Sequence, residues 1–148
     1  MQETQINKTG WIFAEQYLWH DTQRFNLLAT PSLTVQPGIH AENEETKRRF
    51  RNLVAVSSLE DELMHIKPRM ATDEELLRFH TQEYLTFLED LCASGGGLAA
   101  EVSPVGPASY EIAKLAAGGV FEAVDAVINK TVKNAYVLCR PPGHHADA

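Results

Sequence analysis

Residues 135–148 read Ala-Tyr-Val-Leu-Cys-Arg-Pro-Pro-Gly-His-His-Ala-Asp-Ala, an apolar run followed by a polar segment. Pro141 and Pro142 have no backbone N–H and hold φ at about −65°, while Gly143 can adopt backbone angles closed to other residues. The pattern predicts a strand over 135–139 that ends in a sharply turned loop. Adjacent strand side chains point to opposite faces, so His144 and His145 can serve one site only if the backbone turns beside them.

An apolar stripe with helical spacing precedes this strand and predicts a long helix packed on a sheet. Its members are Ile112, Leu115, Ala116, Gly119, Val120, Ala123, Val124, Val127 and Ile128. Gly118 and Gly119 each cost about 1 kcal/mol relative to alanine inside a helix, so we expect a close approach to a neighbouring element there. A helix followed by a strand is half of an α/β layer, in which sites form beyond the carboxyl ends of strands. The predicted fold class is therefore α/β, with an open, mostly parallel sheet flanked by helices.

Shorter patterns predict the elements nearer the start of the chain. The expected elements are a strand over 11–13, an irregular region over 17–28, a helix over 43–56, a strand or loop over 63–66, a short helix that begins at Thr72 with a capping box to Glu75, and a helix marked by Tyr84, Leu85, Leu88, Leu91 and Cys92 that ends at Gly95. In the helix over 43–56 we expect Phe50, Leu53 and Val54 to face inward. No repeat or linker divides the chain.

Composition is that of an ordinary globular protein, with 44% hydrophobic and 22% charged residues. No apolar run approaches the length needed to cross a bilayer, and residues 1–8 lack the apolar core of a secretion signal, so we expect a cytoplasmic protein that does not bind membranes. Cys92 and Cys139 lie in apolar surroundings, which predicts buried reduced thiols.

A basic run over 47–51 does not predict nucleic-acid binding. The net charge is −7, and acidic residues precede the run at helical spacing. We expect the pairs Glu44 with Arg48 and Glu45 with Arg49 to form a solvated helix face.

The sequence Arg-Pro-Pro-Gly-His-His-Ala at 140–146 resembles the tandem-histidine motif of the zinc-dependent histone deacetylase superfamily. The resemblance is strongest to class II-like enzymes, bacterial histone deacetylase-like amidohydrolases and acetylpolyamine amidohydrolases. Weaker matches occur upstream in the same order, at Thr9–Trp11, Tyr17–Asp21, His40–Glu42, Thr46–Phe50, Ala71–Tyr84 and Glu111–Val120. On this resemblance the fold would be the N-terminal part of an arginase/deacetylase-type sheet.

The resemblance implies hydrolysis of an acetyl-lysine or acetylated polyamine-type amide. His145 would be the general base and acid, and His144 its hydrogen-bonding and electrostatic partner. Family members bind zinc through an Asp-x-His pair and a second Asp downstream of the histidines, so we expect no metal ligand in this chain. We expect residues 1–148 to be an incomplete deacetylase domain, inactive by itself, whose parent carries zinc and also structural potassium in the manner of the family.

Two further residues are candidates for substrate binding. Glu101 lies where family members carry an acid that receives the substrate's backbone amide, and His20 lies where the family's first loop borders the substrate channel. We expect His40, His65 and His80 to be structural, and Arg140 to support the loop. Asp147 follows the histidines too closely to be assigned a role.

Other interpretations stay open at this point. Gly-His-His alone is more often a polar loop end than a catalytic group, and the ordered upstream matches are what favour catalysis. A non-catalytic remnant, or a half-domain that pairs with a partner chain, is the main alternative. An arginase-like metal hydrolase ranks last, because the sequence shows no metal-binding Asp-x-His pattern. The oligomeric state is open.

Overall fold

The computed structural model describes residues 7–26 and 29–146. Its strands are β1 (Thr9–Ile12), β2 (Met64–His65), β3 (Gly97–Leu98), β4 (Pro104–Val105) and β5 (Asn134–Val137). Its α-helices are α1 (Glu44–Val56), α2 (Asp73–Leu76), α3 (Gln82–Ala93) and α4 (Ser109–Ile128), and 3-10 helices occupy Glu15–Trp19 and Leu59–Glu62.

The central sheet is parallel, with strand order β2-β1-β5. Trp11 of β1 lies opposite His65 on one side and Tyr136 on the other. A separate antiparallel pair joins β3 to β4. The predicted α/β class with a mostly parallel sheet flanked by helices is therefore confirmed, although both long strands begin and end slightly earlier than the sequence predicted.

Helices cover both faces of this sheet because side chains alternate along β1. Trp11 packs in a cluster with Val54 of α1 and with Leu138. Ile12 points the other way and is fully buried near Gly119 of α4. The sheet thus lies between α1 and α4, and both helices are held by a strand only four residues long.

The two glycines of α4 mark the close approach that the sequence predicted. A Cβ at Gly118 would overlap the carbonyl oxygen of Arg69, and one at Gly119 would overlap the hydroxyl of Tyr17. The contact at Gly118 is reinforced by a hydrogen bond from the Ala71 N–H to the Lys114 carbonyl, at 3.0 Å. Small residues here let the segment before α2 lie directly on α4.

Local signals for the helices over 43–56, 72–76 and 82–93 are confirmed. Asn43 caps α1 by accepting a hydrogen bond from the Glu45 N–H. Thr72 and Glu75 form the predicted capping box of α2. Arg69 then ties α2 to α4, because it binds Glu75 at 2.7 Å and Glu122 at 2.8 Å.

The predicted inward face of α1 is wrong in two of its three residues. Val54 is buried, but Leu53 is 64% exposed and Phe50 is 40% exposed. Phe50 instead stacks at the border of the sheet, 5.4 Å from the ring centroid of Tyr136 and 6.2 Å from that of Trp11.

The predicted buried stripe of α4 is right for only some of its members. Ile112, Ala116, Gly119 and Ala123 are buried, whereas Val120, Val124, Val127 and Ile128 are exposed. The helical period places these residues on one stripe, but the packing among the described residues covers only part of it.

One expected ion pair on α1 is also wrong. Arg49 does approach Glu45, at 3.9 Å, but Arg48 binds Glu15 and Glu45 instead of Glu44. Glu15 lies in the 3-10 helix after β1. Tertiary packing therefore brings its carboxylate to 3.0 Å from Arg48, closer than the Glu45 carboxylate of α1 itself, at 3.5 Å. The face is still solvated and paired, as predicted.

Cys92 and Cys139 are free thiols, and Cys92 is buried while Cys139 is half-buried. Within residues 7–26 and 29–146, no helix combines the length and the apolar character needed to cross a lipid bilayer.

We predict that Gly118→Ala destabilises the protein. The added methyl group must displace the backbone at Arg69, and such overpacking typically costs about 1–3 kcal/mol despite alanine's better helix propensity. Urea unfolding measures the change. Gly38→Ala is the matched control, since its nearest neighbour would lie at 3.6 Å, an ordinary contact. Equal stabilities for the two variants would contradict the packing argument.

Candidate active site

A cavity of about 660 Å³ is lined by the segments that follow β1 and β5. Its walls include His20 and His40 from the long connection before α1, Tyr84 of α3, and Tyr110 of α4. The loop over 139–146 supplies a further wall, which includes both His144 and His145. The cavity thus lies beyond the carboxyl ends of the parallel strands, where open α/β sheets place their sites.

The tandem-histidine loop has the turn that the sequence predicted. Gly143 has φ of 79°, and the Ala146 N–H closes the turn on the Gly143 carbonyl at 3.0 Å. The ring centroids of His144 and His145 lie 4.2 Å apart with planes tilted by 48°. Both side chains are exposed on the cavity surface, so two imidazoles share one solvent-accessible site.

Arg140 supports this loop from below, as the sequence suggested, and it does so while fully buried. Its Nε and Nη2 each donate to the carboxylate of Glu42 at 2.8 Å, and its Nη1 donates to the Leu18 carbonyl at 3.1 Å. Glu42 also accepts from Lys47 at 3.0 Å. Burial by itself would raise the pKa of Glu42, but hydrogen bonds from Arg140 and Lys47 hold that pKa below its usual range. The carboxylate is therefore ionised wherever the protein is folded near neutral pH.

His20 lies in the cavity wall, deeper than the rim position that the sequence suggested. Its Nδ1 is 2.9 Å from the Ser109 hydroxyl, which also accepts a hydrogen bond from the Gly106 N–H at 2.9 Å. Burial, and next the charge of Arg140, lower the pKa of His20 to about 4. This imidazole is therefore neutral at physiological pH.

His40 is a polar group of the cavity wall that sequence reasoning assigned to structure alone. It is only 5% exposed, and its Nδ1 accepts a hydrogen bond from the Glu42 N–H at 3.1 Å. The same Nδ1 lies 3.2 Å from the Glu42 carbonyl oxygen, and no hydrogen-bond partner for Nε2 exists among the described residues. In the sequence, the only sign that His40 could lie at a site was that segment His40–Glu42 resembles the family. The fold is what brings that segment to the cavity.

Glu101 stands apart from the cavity. It is exposed in the turn between β3 and β4, and its neighbours Val102 and Ser103 line the cavity in its place. Its predicted contact with substrate is not tested by this arrangement.

The remaining histidines divide between surface and wall. His65 is exposed and lies 3.6 Å from Glu60. His80 packs on Tyr84 with ring centroids 5.2 Å apart, and both line the cavity. Cys139 also lines it, and burial raises the pKa of its thiol. Asp147 lies outside the described residues.

Within the described ranges, no three side chains of His, Cys, Asp or Glu form a group that could hold a metal ion. His144 and His145 alone are fewer than the three protein ligands that a catalytic zinc site normally requires.

We predict that protonation of His20 destabilises the fold under acid conditions. The folded pKa of about 4 lies below the unfolded value, so the unfolded chain takes up the proton first and stability falls as pH drops from about 6.5 towards 4. His20→Gln removes that term, and its stability should fall less over this range. Urea unfolding at pH 7 and pH 4 makes the comparison, with His65→Gln as an exposed control. Parallel losses for wild type and His20→Gln would contradict the pKa.

The comparisons with known proteins agree with the fold and the loop. Residues 40–148 match the family described as Histone deacetylase domain. The chain is 43% identical to the histone deacetylase-like amidohydrolase of Pseudomonas aeruginosa, over 93% of this chain and 37% of that protein. It is 29% identical to a human polyamine deacetylase, over 81% of this chain and 19% of that protein.

Among solved structures, the HD domain of HDA15 is similar with a TM-score of 0.80 at 25% identity. That likeness covers 95% of this chain and 37% of that chain. The chain therefore spans little more than a third of the relatives that it matches over almost its whole length. The family match, the amidohydrolase relative and the shared fold confirm the resemblance drawn from the tandem-histidine motif, and the chain belongs to the histone deacetylase family.

Proposed function

We propose that the protein is a zinc-dependent amide hydrolase that removes acyl groups from acetyl-lysine or acetylated polyamine-type substrates. The observation that carries this proposal is the pair of exposed imidazoles, 4.2 Å apart between centroids, on a cavity beyond the end of β5. Family membership supports the reaction class. Because the chain spans 37% of the amidohydrolase relative, the activity belongs to the whole protein.

Amide hydrolysis at neutral pH needs an activated water and a proton for the departing amine. Histidine titrates near neutrality and can take and return a proton. In this proposal His145 removes the proton from water and delivers it to the amine nitrogen. His144, beside it in the same turn, holds the water by a hydrogen bond and by charge.

A bound zinc ion would polarise the substrate carbonyl and lower the pKa of the attacking water. The described residues show no group that could hold a metal ion, and in this proposal the zinc ligands belong to the remainder of the parent protein. The residues of this chain supply the proton transfers and one side of the cavity. Potassium would be a structural ion of the parent and has no role in these steps.

The relatives' names support an acetylated substrate, since they include an amidohydrolase and a polyamine deacetylase. Glu101 would receive a backbone N–H group of the substrate, since it is exposed next to Val102 and Ser103 in the cavity wall. His20, neutral and fixed by Ser109, would contribute a hydrogen bond in the wall. We propose a cytoplasmic protein without nucleic-acid or membrane partners.

Exposed apolar residues on β5 and α4 favour a second candidate, in which this chain associates with another protein. Tyr136 on β5 is 48% exposed, and Val124 and Ile128 on α4 are 48% and 69% exposed. Surfaces of this kind are normally covered by other protein. A half-domain that pairs with a partner chain is therefore the second candidate.

The reaction itself is tested at the tandem histidines. His145→Ala in the full-length protein should lower kcat for an acetyl-lysine peptide by about 10²–10⁴-fold, because the water loses its base and the amine its acid. His144→Ala should also lower kcat. Both residues are exposed, so the unfolding midpoint should change little. His65→Gln is the control, and retention of full activity in His145→Ala would overturn the proposed roles.

The role of Glu101 has its own test. Glu101→Gln should raise KM by about 2- to 10-fold with little change in kcat, since one weakened hydrogen bond is worth about 0.5–1.5 kcal/mol. Steady-state kinetics with an acetyl-lysine peptide and with an acetylated polyamine measure the effect. Glu62→Gln, another exposed glutamate, is the control. An unchanged KM for both substrates would remove Glu101 from the site.

A further inference from the structure

One side chain fastens the tandem-histidine loop to the rest of the described chain. The backbone of β5 makes its last link to the sheet at Leu138, whose N–H donates to the Ile12 carbonyl at 3.0 Å. Among the described residues, the backbone of 139–146 forms one hydrogen bond, from the Ala146 N–H to the Gly143 carbonyl. That bond lies inside the loop and does not attach it to another element. Pro141 cannot donate. The hydrogen bonds that leave this loop for other described residues all come from the side chain of Arg140.

That attachment is rigid because of its geometry and burial. Arg140 is 0% exposed, and its fork is bidentate to Glu42, with Nε also 3.1 Å from the second carboxylate oxygen. A bidentate guanidinium–carboxylate pair fixes direction as well as distance. The third nitrogen, Nη1, donates a hydrogen bond to the Leu18 carbonyl, so all three nitrogens of the guanidinium are bonded.

Glu42 is itself held by several elements. Its carboxylate accepts from Lys47 in the first turns of α1, and its backbone N–H donates to His40 in the cavity wall. Its carbonyl accepts from the Thr22 hydroxyl at 3.4 Å. The two backbone hydrogen bonds fix Glu42 beside the cavity wall, and Lys47 adds a partly exposed ion pair that this placement does not require.

We infer that Glu42 is a positioning residue for the proposed hydrolysis, and that it acts through Arg140 to set where His144 and His145 stand over the cavity. The inference rests on the proposed function for its kinetic consequence. No partner of either exposed imidazole is seen among the described residues apart from the other ring, so their position depends on the loop. Proton transfer requires hydrogen-bond reach, and a misplacement of about 1 Å can cost about 10²-fold in rate.

The experiment compares Glu42→Gln with Lys47→Gln in the full-length protein. Glu42→Gln keeps the shape and loses the charged fork, so kcat should fall about 10- to 100-fold while KM stays within about twofold. The pH profile of kcat should also shift, because the substitution removes a negative charge and so changes the electrostatic potential at the two imidazoles. Lys47→Gln removes the other ion pair of the same carboxylate and leaves Arg140 bound, so both readouts should stay near wild type.

A second readout separates this inference from the proposed function. NMR signals of the His144 and His145 rings should move in Glu42→Gln and stay in place in Lys47→Gln, whatever the enzyme's activity. Unmoved ring signals in Glu42→Gln would overturn the positioning role. Absence of deacetylase activity in wild type, with ring signals that move as expected, would overturn the proposed function and keep the positioning role.

Milder variants keep the test decisive if Glu42→Gln does not fold. Glu42→Asp retains the charge but shortens the reach, and Arg140→Lys retains the charge but removes the fork. Each should show a smaller fall in kcat than Glu42→Gln, with ring signals displaced in the same sense. Wild-type kcat and wild-type ring signals in both variants would overturn the inference.

Discussion

The site depends on the burial of one charge. Arg140 carries its guanidinium into the interior at 0% exposure, where an isolated charge would be prohibitive and a carboxylate partner is obligatory. Glu42 is that partner, and breaking a buried pair of this kind by removing one member costs about 3–5 kcal/mol. The pair therefore constrains the architecture as well as the loop. For the pair to form, the segment after β5 that carries Arg140 must lie against the segment before α1 that carries Glu42.

The histidines show how environment divides one residue type into different tasks. His144 and His145 are exposed on a turn at the surface of the cavity. His20 and His40 lie in the wall of the same cavity and are buried, His20 bonded to the distant Ser109 and His40 to the nearby Glu42. With its pKa lowered to about 4, His20 offers a neutral ring. The exposed pair is open to a ligand in the cavity, and the buried pair forms part of the cavity wall.

Local patterns predicted the elements better than the faces that they bury. The capping box at Thr72 and the close approach at Gly118 were readable, because each is set by a few neighbouring residues or by the lack of a side chain. The apolar stripe of α4 was readable as a helix but not as a fully buried one. A periodic pattern shows which residues share a face, and only tertiary packing decides how far that face is covered. Leu53 of α1 follows the helical period and is still exposed.

By itself the sequence determined the turn at Gly143, the two adjacent imidazoles, the α/β class and the family. These follow from backbone freedom, from the spacing of apolar residues and from a motif within one short segment. Tertiary structure decided the rest of the site. Arg140 meets Glu42 across 98 residues, and His20 meets Ser109 across 89. Such pairs have no local signature, because a charged or polar side chain is equally compatible with solvent until packing removes the water and leaves one partner within reach.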